Sequence, residues 1–342
     1  MLPITLEKDF VDKSKSRNDI IEFSSRLDEY DSLHKEIKLI MLNPISDCEN
    51  VNVSSLLDRI CVSRPYFAFR NIYHYNDILF SKIDPEQLLL DFESTQINSA
   101  ESSRHMAIFG SCIVSESALG SKKYYLATKA RMRKGADISK AISHPVLRSE
   151  VFIFAKTIFN NSKNACAITS IADGAGNIIF DLTIEYQIFE PKTFNRIFKN
   201  HRKEFHSLNY KNPYRDNIPK LYDYKYSSNC LIARLPKIEP GKCAGHFDNF
   251  PMLPVGVMSY ICTEAIGEFL PKIVGNRNSK YHLYSARLEV NQPTLIDEES
   301  RFILIYNGRK EEIFSFSWII TDFNNSIVYN TMSIDYEISK FL

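Results

Sequence analysis

His246 lies in a segment whose residue types fall at a spacing suited to proton transfer, with Gly245 before it and Phe247, Pro251 and Pro254 after it. Proline needs no amide partner and its φ is preset for a first helical turn, so Pro254 predicts a helix start. The unpaired amides of that start would face a carbonyl oxygen and stabilise negative charge on it. A histidine just ahead, with a pKa near neutrality, is placed to remove a proton α to such a carbonyl. A second group must then protonate whatever departs from the β-carbon. The plain alternative is a structural histidine in a loop. Cys243 and His246 also make one CxxH spacing, but no second ligand pair accompanies it, so no metal and no cofactor is expected.

The totals narrow the setting. A chain of 342 residues holds one large domain or two medium ones. Its 44% hydrophobic and 24% charged residues are those of an ordinary globular protein, and the net charge of +1 argues against nucleic acid or an anionic membrane as partner. The seven cysteines are scattered with no CxxC pair, which fits reduced thiols in a cytoplasmic protein. Charged residues interrupt Met1 to Ile20, so no secretory segment is expected there, and apolar runs such as Phe302 to Tyr306 are only strand length. Asp173 to Asn177 is the nearest approach to a glycine-rich phosphate loop, and it predicts a hairpin turn instead.

The elements that must position His246 emerge from a repeat. Ile178 to Ile188 alternates in β fashion, and Ile327 to Ile338 echoes it near the end of the chain. Upstream, Lys123 to Met132 is matched by Lys280 to Leu288. Each of the latter pair follows a helical pattern, Ser102 to Leu119 in one case and Val255 to Leu270 in the other. The offset of roughly 150 residues is that of a duplicated domain, well beyond solenoid periods of about 20–50. The expected organisation is an extension over 1–60, a first domain over 61–195, a linker over 196–220 and a second domain over 221–342.

The segment Gly245-His246-Phe247, with Pro251, Pro254 and Gly256, resembles the active-site loop of the FabA/FabZ-type β-hydroxyacyl carrier-protein dehydratases. The resemblance covers about a dozen residues. It implies an α+β double hot-dog, in which two curved antiparallel sheets each wrap a central helix. It also implies His246 as general base, with Phe247, Pro254 and Gly256 against the substrate. Three departures accompany it. Asp248 replaces a usual proline, Val255-Gly256 inverts the usual order, and Tyr260 stands where the family carries its helix acid. The acid role passes to Glu264 one turn on, to Tyr260, or to the other domain. There His105, Cys112 and Glu116 share a helix face, and His105 is the leading candidate.

These residues lead to a dehydratase or aromatase-type lyase acting on acyl or polyketide thioesters. Arg104 to Cys112 and Tyr124 to Ala127 are also similar to the aromatase/cyclases of bacterial dialkylresorcinol and stilbene pathways. The implied partners are an acyl carrier protein or coenzyme A thioester, a partner ketosynthase and a second copy of the chain. One alternative is a hot-dog acyl thioesterase using Glu264 or Glu116 to activate water. Another is a non-catalytic binding subunit that keeps the loop for shape. The cluster Arg131, Arg133, Lys134 and the basic run from Lys199 to Lys203 are expected to be solvated.

Overall fold

The computed structural model describes residues 26–42, 48–117, 121–136, 138, 150–203, 212–216, 218–247, 249–275, 279–294 and 296–339. The chain divides into two compact units, Met1–Pro44 and Ile45–Leu342. Of the first unit the described part is helix α1, Leu27–Leu42, with Tyr30, Leu33, Ile37 and Ile40 on one face at helical spacing. The boundary after Pro44 differs from the expected extension over 1–60. Strand β1 (Glu49–Asn50) and helix α2 (Val53–Ile60) belong to the second unit, because Leu56 and Ile60 are buried in its core. Asp248 lies outside the described residues.

The second unit carries the same element order twice. Strands β2 (Tyr73–Tyr75) and β3 (Ile78–Ile83) precede helix α3 (Ser99–Ser115), and β4 (Tyr124–Lys134), β5 (Val151–Asn160), β6 (Asn164–Asp173) and β7 (Ile178–Phe189) follow it. Helices α4 (Pro191–Ile197) and α5 (Pro213–Asp216) come next. Strands β8 (Tyr222–Tyr226) and β9 (Cys230–Leu235), helix α6 (Val255–Val274), and β10 (Tyr281–Val290), β11 (Ser300–Lys310), β12 (Ile313–Asp322) and β13 (Val328–Ile338) complete the repeat. All strands form one 13-stranded sheet in the order β1-β2-β3-β5-β6-β7-β4-β10-β13-β12-β11-β9-β8. Read outward from its centre, the two halves have the same order of equivalent strands, and β1 is an extra edge strand of the first half. The halves are thus joined within one compact unit.

The join is antiparallel pairing of β4 with β10, from Arg133 opposite Ser285 to Lys129 opposite Glu289. Arg131 faces Arg287 at its middle. The spacing from Arg131 to Arg287 equals that from Ser99 to Val255, the first residues of α3 and α6. The pseudo-two-fold axis therefore passes between the two arginines, and it sets the helices side by side beneath the seam.

Helix α3 starts three residues earlier than its apolar pattern suggested. Asn98 caps it, accepting from the amides of Ala100 and Glu101. Helix α6 ends at Gly275, whose φ of +73° is the left-handed conformation that glycine adopts without cost. The helices approach closely where Gly256 meets Arg104. A Cβ at Gly256 would lie 2.6 Å from the Arg104 Cβ. Substitution Gly256→Ala forces the helices apart, and we expect a loss of about 1–3 kcal/mol, read as a lower urea midpoint. Gly275→Ala, with open space around it, should cost only about 1 kcal/mol through its backbone conformation.

Candidate active site

His246 is fixed by three independent contacts. Its Nδ1 lies 3.1 Å from the carbonyl oxygen of Met252. A carbonyl only accepts, so Nδ1 carries the hydrogen and Nε2 the lone pair. Behind it, Gly245 adopts φ +83° and docks on the segment after α2, where its carbonyl accepts from the Ser63 amide at 2.9 Å. Val62 and His246 form a β-bridge there. A Cβ on Gly245 would sit 2.3 Å from the Ser63 carbonyl oxygen, so this position admits only glycine. Ahead of it, Phe247 turns through φ +57° into an aromatic box. Its ring meets Tyr124 at 5.4 Å and Phe194 at 5.6 Å, and Tyr124 and Phe194 stack at 3.8 Å.

The imidazole borders a cavity of about 410 Å³. Its wall is shared between the repeats. Helix α3 contributes Ala107, Ile108 and Ser111, while the second half contributes His246, Leu253, Val255 and Met258. Strand β4 supplies four consecutive residues, Tyr125 to Thr128, because a bulge between Ala127 and Lys129 breaks its alternation. Exposed Ile197, Asn291 and Gln292 form the rim. One edge of His246 meets this space while protein encloses the rest, and burial pushes its pKa down to about 4, against a smaller upward effect from its bond to Met252. The ring is therefore neutral at pH 7. Pro254 offers no side-chain cap to α6, and Val257 and Met258 donate to its carbonyl at 3.0 and 3.1 Å. The first amides of the helix are left without a capping side chain next to Leu253 and Val255 of the cavity wall.

The other expected site residues lie elsewhere. His105 is fully buried, and its Nε2 is 3.2 Å from Glu101 Oε1. The neighbouring Arg104 guanidinium donates to Glu86, and Glu101 accepts the amides of Glu86 and Gln87 at 2.6 and 3.0 Å. Burial and the adjacent Arg104 hold the His105 pKa below its usual value, despite the opposing effect of Glu101. Glu86, Glu101 and His105 have ligand atoms close enough for a metal ion, but Arg104 already supplies positive charge within the cluster. Glu264 sits on a part-exposed face of α6, 4.0 Å from Lys220, and burial raises the pKa of both Glu264 and its neighbour Tyr260. Glu116 pairs with His74 at 3.3 Å, and Cys112 is core. Phe247 lines the cavity. Pro254 opens the helix, and Gly256 packs on Arg104 instead of facing the space.

Tyr66 of the cavity wall carried no sequence signal, and Ser111 and Tyr186 fell within segments read only for their overall pattern. Tyr66 and His246 meet edge to face with ring centroids 4.8 Å apart. Their chain separation gives no period or motif to link them. The segment expected to be a linker also contributes, since Tyr214 is buried against Tyr66 and donates to the Ala244 carbonyl at 2.8 Å.

No family model matches the chain, and no curated protein matches it. Solved structures do resemble it at low identity. A tesB protein of Mycobacterium avium subspecies paratuberculosis is 6% identical with a TM-score of 0.48, over 84% of this chain and 100% of that one. A protein of unknown function with a hot-dog fold from Alicyclobacillus acidocaldarius is 8% identical with a TM-score of 0.49, over 81% and 99%. A MaoC-like dehydratase is 9% identical with a TM-score of 0.43, over 83% and 100%. The architecture is hot-dog. That statement rests on the helix laid across antiparallel strands in each repeat, and at such identities the reaction must be argued from the site. Among the described residues no helix is long and apolar enough to cross a membrane.

The histidine pKa shifts have a consequence for stability. His246, His105 and His282 all titrate below the usual value of about 6.5 because burial disfavours their charged forms. The unfolded chain binds protons first, so stability is full above about pH 6.5 and falls as pH drops toward 4. Urea midpoints measured across that window should decline. In His246→Asn, whose amide still donates toward Met252, the decline should be smaller.

Proposed function

We propose that the chain is a double hot-dog enzyme that moves protons on an acyl or polyketide thioester, with His246 as general base. The observation that carries this is the placement of His246. Its Nδ1 is committed to Met252, which leaves Nε2 with the lone pair, and the ring borders a cavity walled by the helix of the other repeat. In this reading the thioester carbonyl faces the uncapped start of α6, whose amides stabilise the enolate oxygen. The acyl tail passes between Ala107, Ala127 and Val255. These residues also border a smaller apolar space of about 50 Å³ under the seam.

We favour dehydration over hydrolysis by a helix carboxylate because of the groups this wall carries. Its titratable groups are His246, Tyr66, Tyr125 and Tyr186, and no carboxylate lines it among the described residues. An aromatase or cyclase acting on a ring-closed polyketone from a partner ketosynthase would use the same proton removal and loss of water. Coenzyme A and an acyl carrier protein are both compatible carriers. The second reading is hydrolysis, since several of the similar solved structures are named thioesterases. It requires His246 to activate water, because Glu264 and Glu116 do not line the cavity.

Mass spectrometry of purified protein with β-hydroxyacyl and cyclised β-keto thioesters separates the readings. Wild type should lose water from the substrate, and His246→Asn should lower that rate by about 100-fold or more. Free acid as the only product would instead establish the hydrolase. Because His246 acts neutral, the acid limb of kcat/KM should lie near pH 4. A limb near pH 6.5 would contradict the buried environment described above.

A further inference from the structure

We infer that Tyr66 is the group that protonates the departing β-hydroxyl, which makes it the second catalytic residue. The assignment rests on the dehydratase reading and supplies the acid that reading lacks. Elimination across the α- and β-carbons needs a proton donor as well as a base. The carboxylates first considered for it are engaged elsewhere, and those of the described residues do not line the cavity. Donors must therefore come from hydroxyls.

The hydroxyls of the wall are not equivalent. Tyr186 already donates to the Ala107 carbonyl at 2.5 Å, and Ser111 donates to the Ile108 carbonyl at 2.6 Å. Thr128 donates to the Glu185 carbonyl at 3.3 Å, and Thr294 donates to the Met258 sulfur at 3.2 Å. The hydroxyls of Tyr66 and Tyr125 have no hydrogen-bond partner among the described residues. Of these two, Tyr66 stands against His246. The Gly245 carbonyl, the β-bridge to Val62 and the close approach of Gly245 to the Tyr66 amide clamp the backbones of base and donor together. The Tyr66 ring is further held between His246 and Tyr214, at 4.8 and 5.1 Å. Such clamping fixes a pair of groups before substrate arrives, the condition under which positioning lowers a barrier.

Burial keeps the Tyr66 phenol protonated far above neutral pH, outweighing the opposing influence of Arg104. Hydroxide is still the stronger base, since water's own pKa is about 15.7. The step balances as follows. Nε2 of His246 takes the α-proton, and that electron pair forms the double bond while the bond from the β-carbon to oxygen breaks. The leaving oxygen takes the phenolic hydrogen and departs as water. The proton on His246 then restores the phenol, so the net change is hydroxyacyl thioester to enoyl thioester plus water.

The test uses Tyr66→Phe, which keeps the ring against His246 and removes only the hydroxyl. Two substrates are compared, a 3-hydroxyacyl and a 3-fluoroacyl thioester, because fluoride leaves without needing a proton. We expect kcat for loss of water to fall about 100-fold or more with little change in KM, while fluoride elimination persists. His246→Asn should lose both. Equal losses on the two substrates in Tyr66→Phe, with a wild-type circular dichroism spectrum, would mean a structural role and overturn the assignment. A larger loss of dehydration in Tyr125→Phe would transfer the role and equally overturn it. Wild type that eliminates neither water nor fluoride would sink the dehydratase reading itself, and this assignment with it.

Discussion

Pairing of β4 with β10 is the constraint on which the rest of the molecule depends. Each repeat alone would offer an open sheet edge at its first long strand, a surface prone to nonspecific pairing. Joining those edges within one chain satisfies both. It also brings α3 and α6 into contact, and Gly256 lets Arg104 approach where any larger residue would clash. The 410 Å³ cavity is built across this contact, with His246 on one side and Ala107, Ile108 and Ser111 on the other. Loss of the seam would separate His246 from the helix that forms the opposite wall.

The repeat and the histidine loop were legible in the sequence because both are written in local chemistry. Period-two alternation marks β7 and β13, and Asp173 to Asn177 forms the expected turn, with Asp173 accepting the amides of Ala175 and Asn177. What could not be read was long-range docking. Tyr66 reaches His246 only because Gly245 fits over Ser63, and neither residue has a sequence pattern that names the other. His105 misled for a physical reason. A polar stripe on a buried helix must be satisfied, and it is equally well satisfied by partners one turn away as by a substrate. Glu101, one turn away, and the adjacent Arg104 both meet the His105 Nε2. The helix boundary was missed for a similar cause, since Asn98 caps α3 through its side chain while the apolar pattern begins later.

The buried cluster of Glu86, Glu101, Arg104 and His105 illustrates how a costly set of charges can be kept for arrangement. Ions removed from water seldom stabilise a fold on balance, and removing one partner is strongly destabilising. Here each partner ties a separate segment to α3. Glu101 holds the amides of Glu86 and Gln87, Asn212 donates to Glu86 at 2.6 Å, and Arg104 lies 5.0 Å above the Tyr214 ring. Tyr214 in turn holds Ala244, next to the glycine that seats the histidine loop. The cluster thus fixes the platform behind the site without touching the cavity.

Duplication with a pseudo-two-fold axis would ordinarily create two equivalent cavities, and the residues at equivalent positions of the two repeats differ. The offset relating Arg131 to Arg287 places Leu90 at the position of His246, so the first repeat has no histidine there. The same offset relates Ser111, on the cavity wall, to Gly267 on α6. A Cβ on Gly267 would meet the Phe92 ring at 2.5 Å, so Phe92 packs directly on the helix there. Its ring also lies edge to face with Tyr336. The same offset relates Glu264 to Ile108 of the cavity wall, and Glu264 itself lies off the His246 cavity, 4.0 Å from Lys220. One repeat has become the wall and the other has kept the loop. The chemistry of the pair is therefore asymmetric, although its backbone is nearly symmetric.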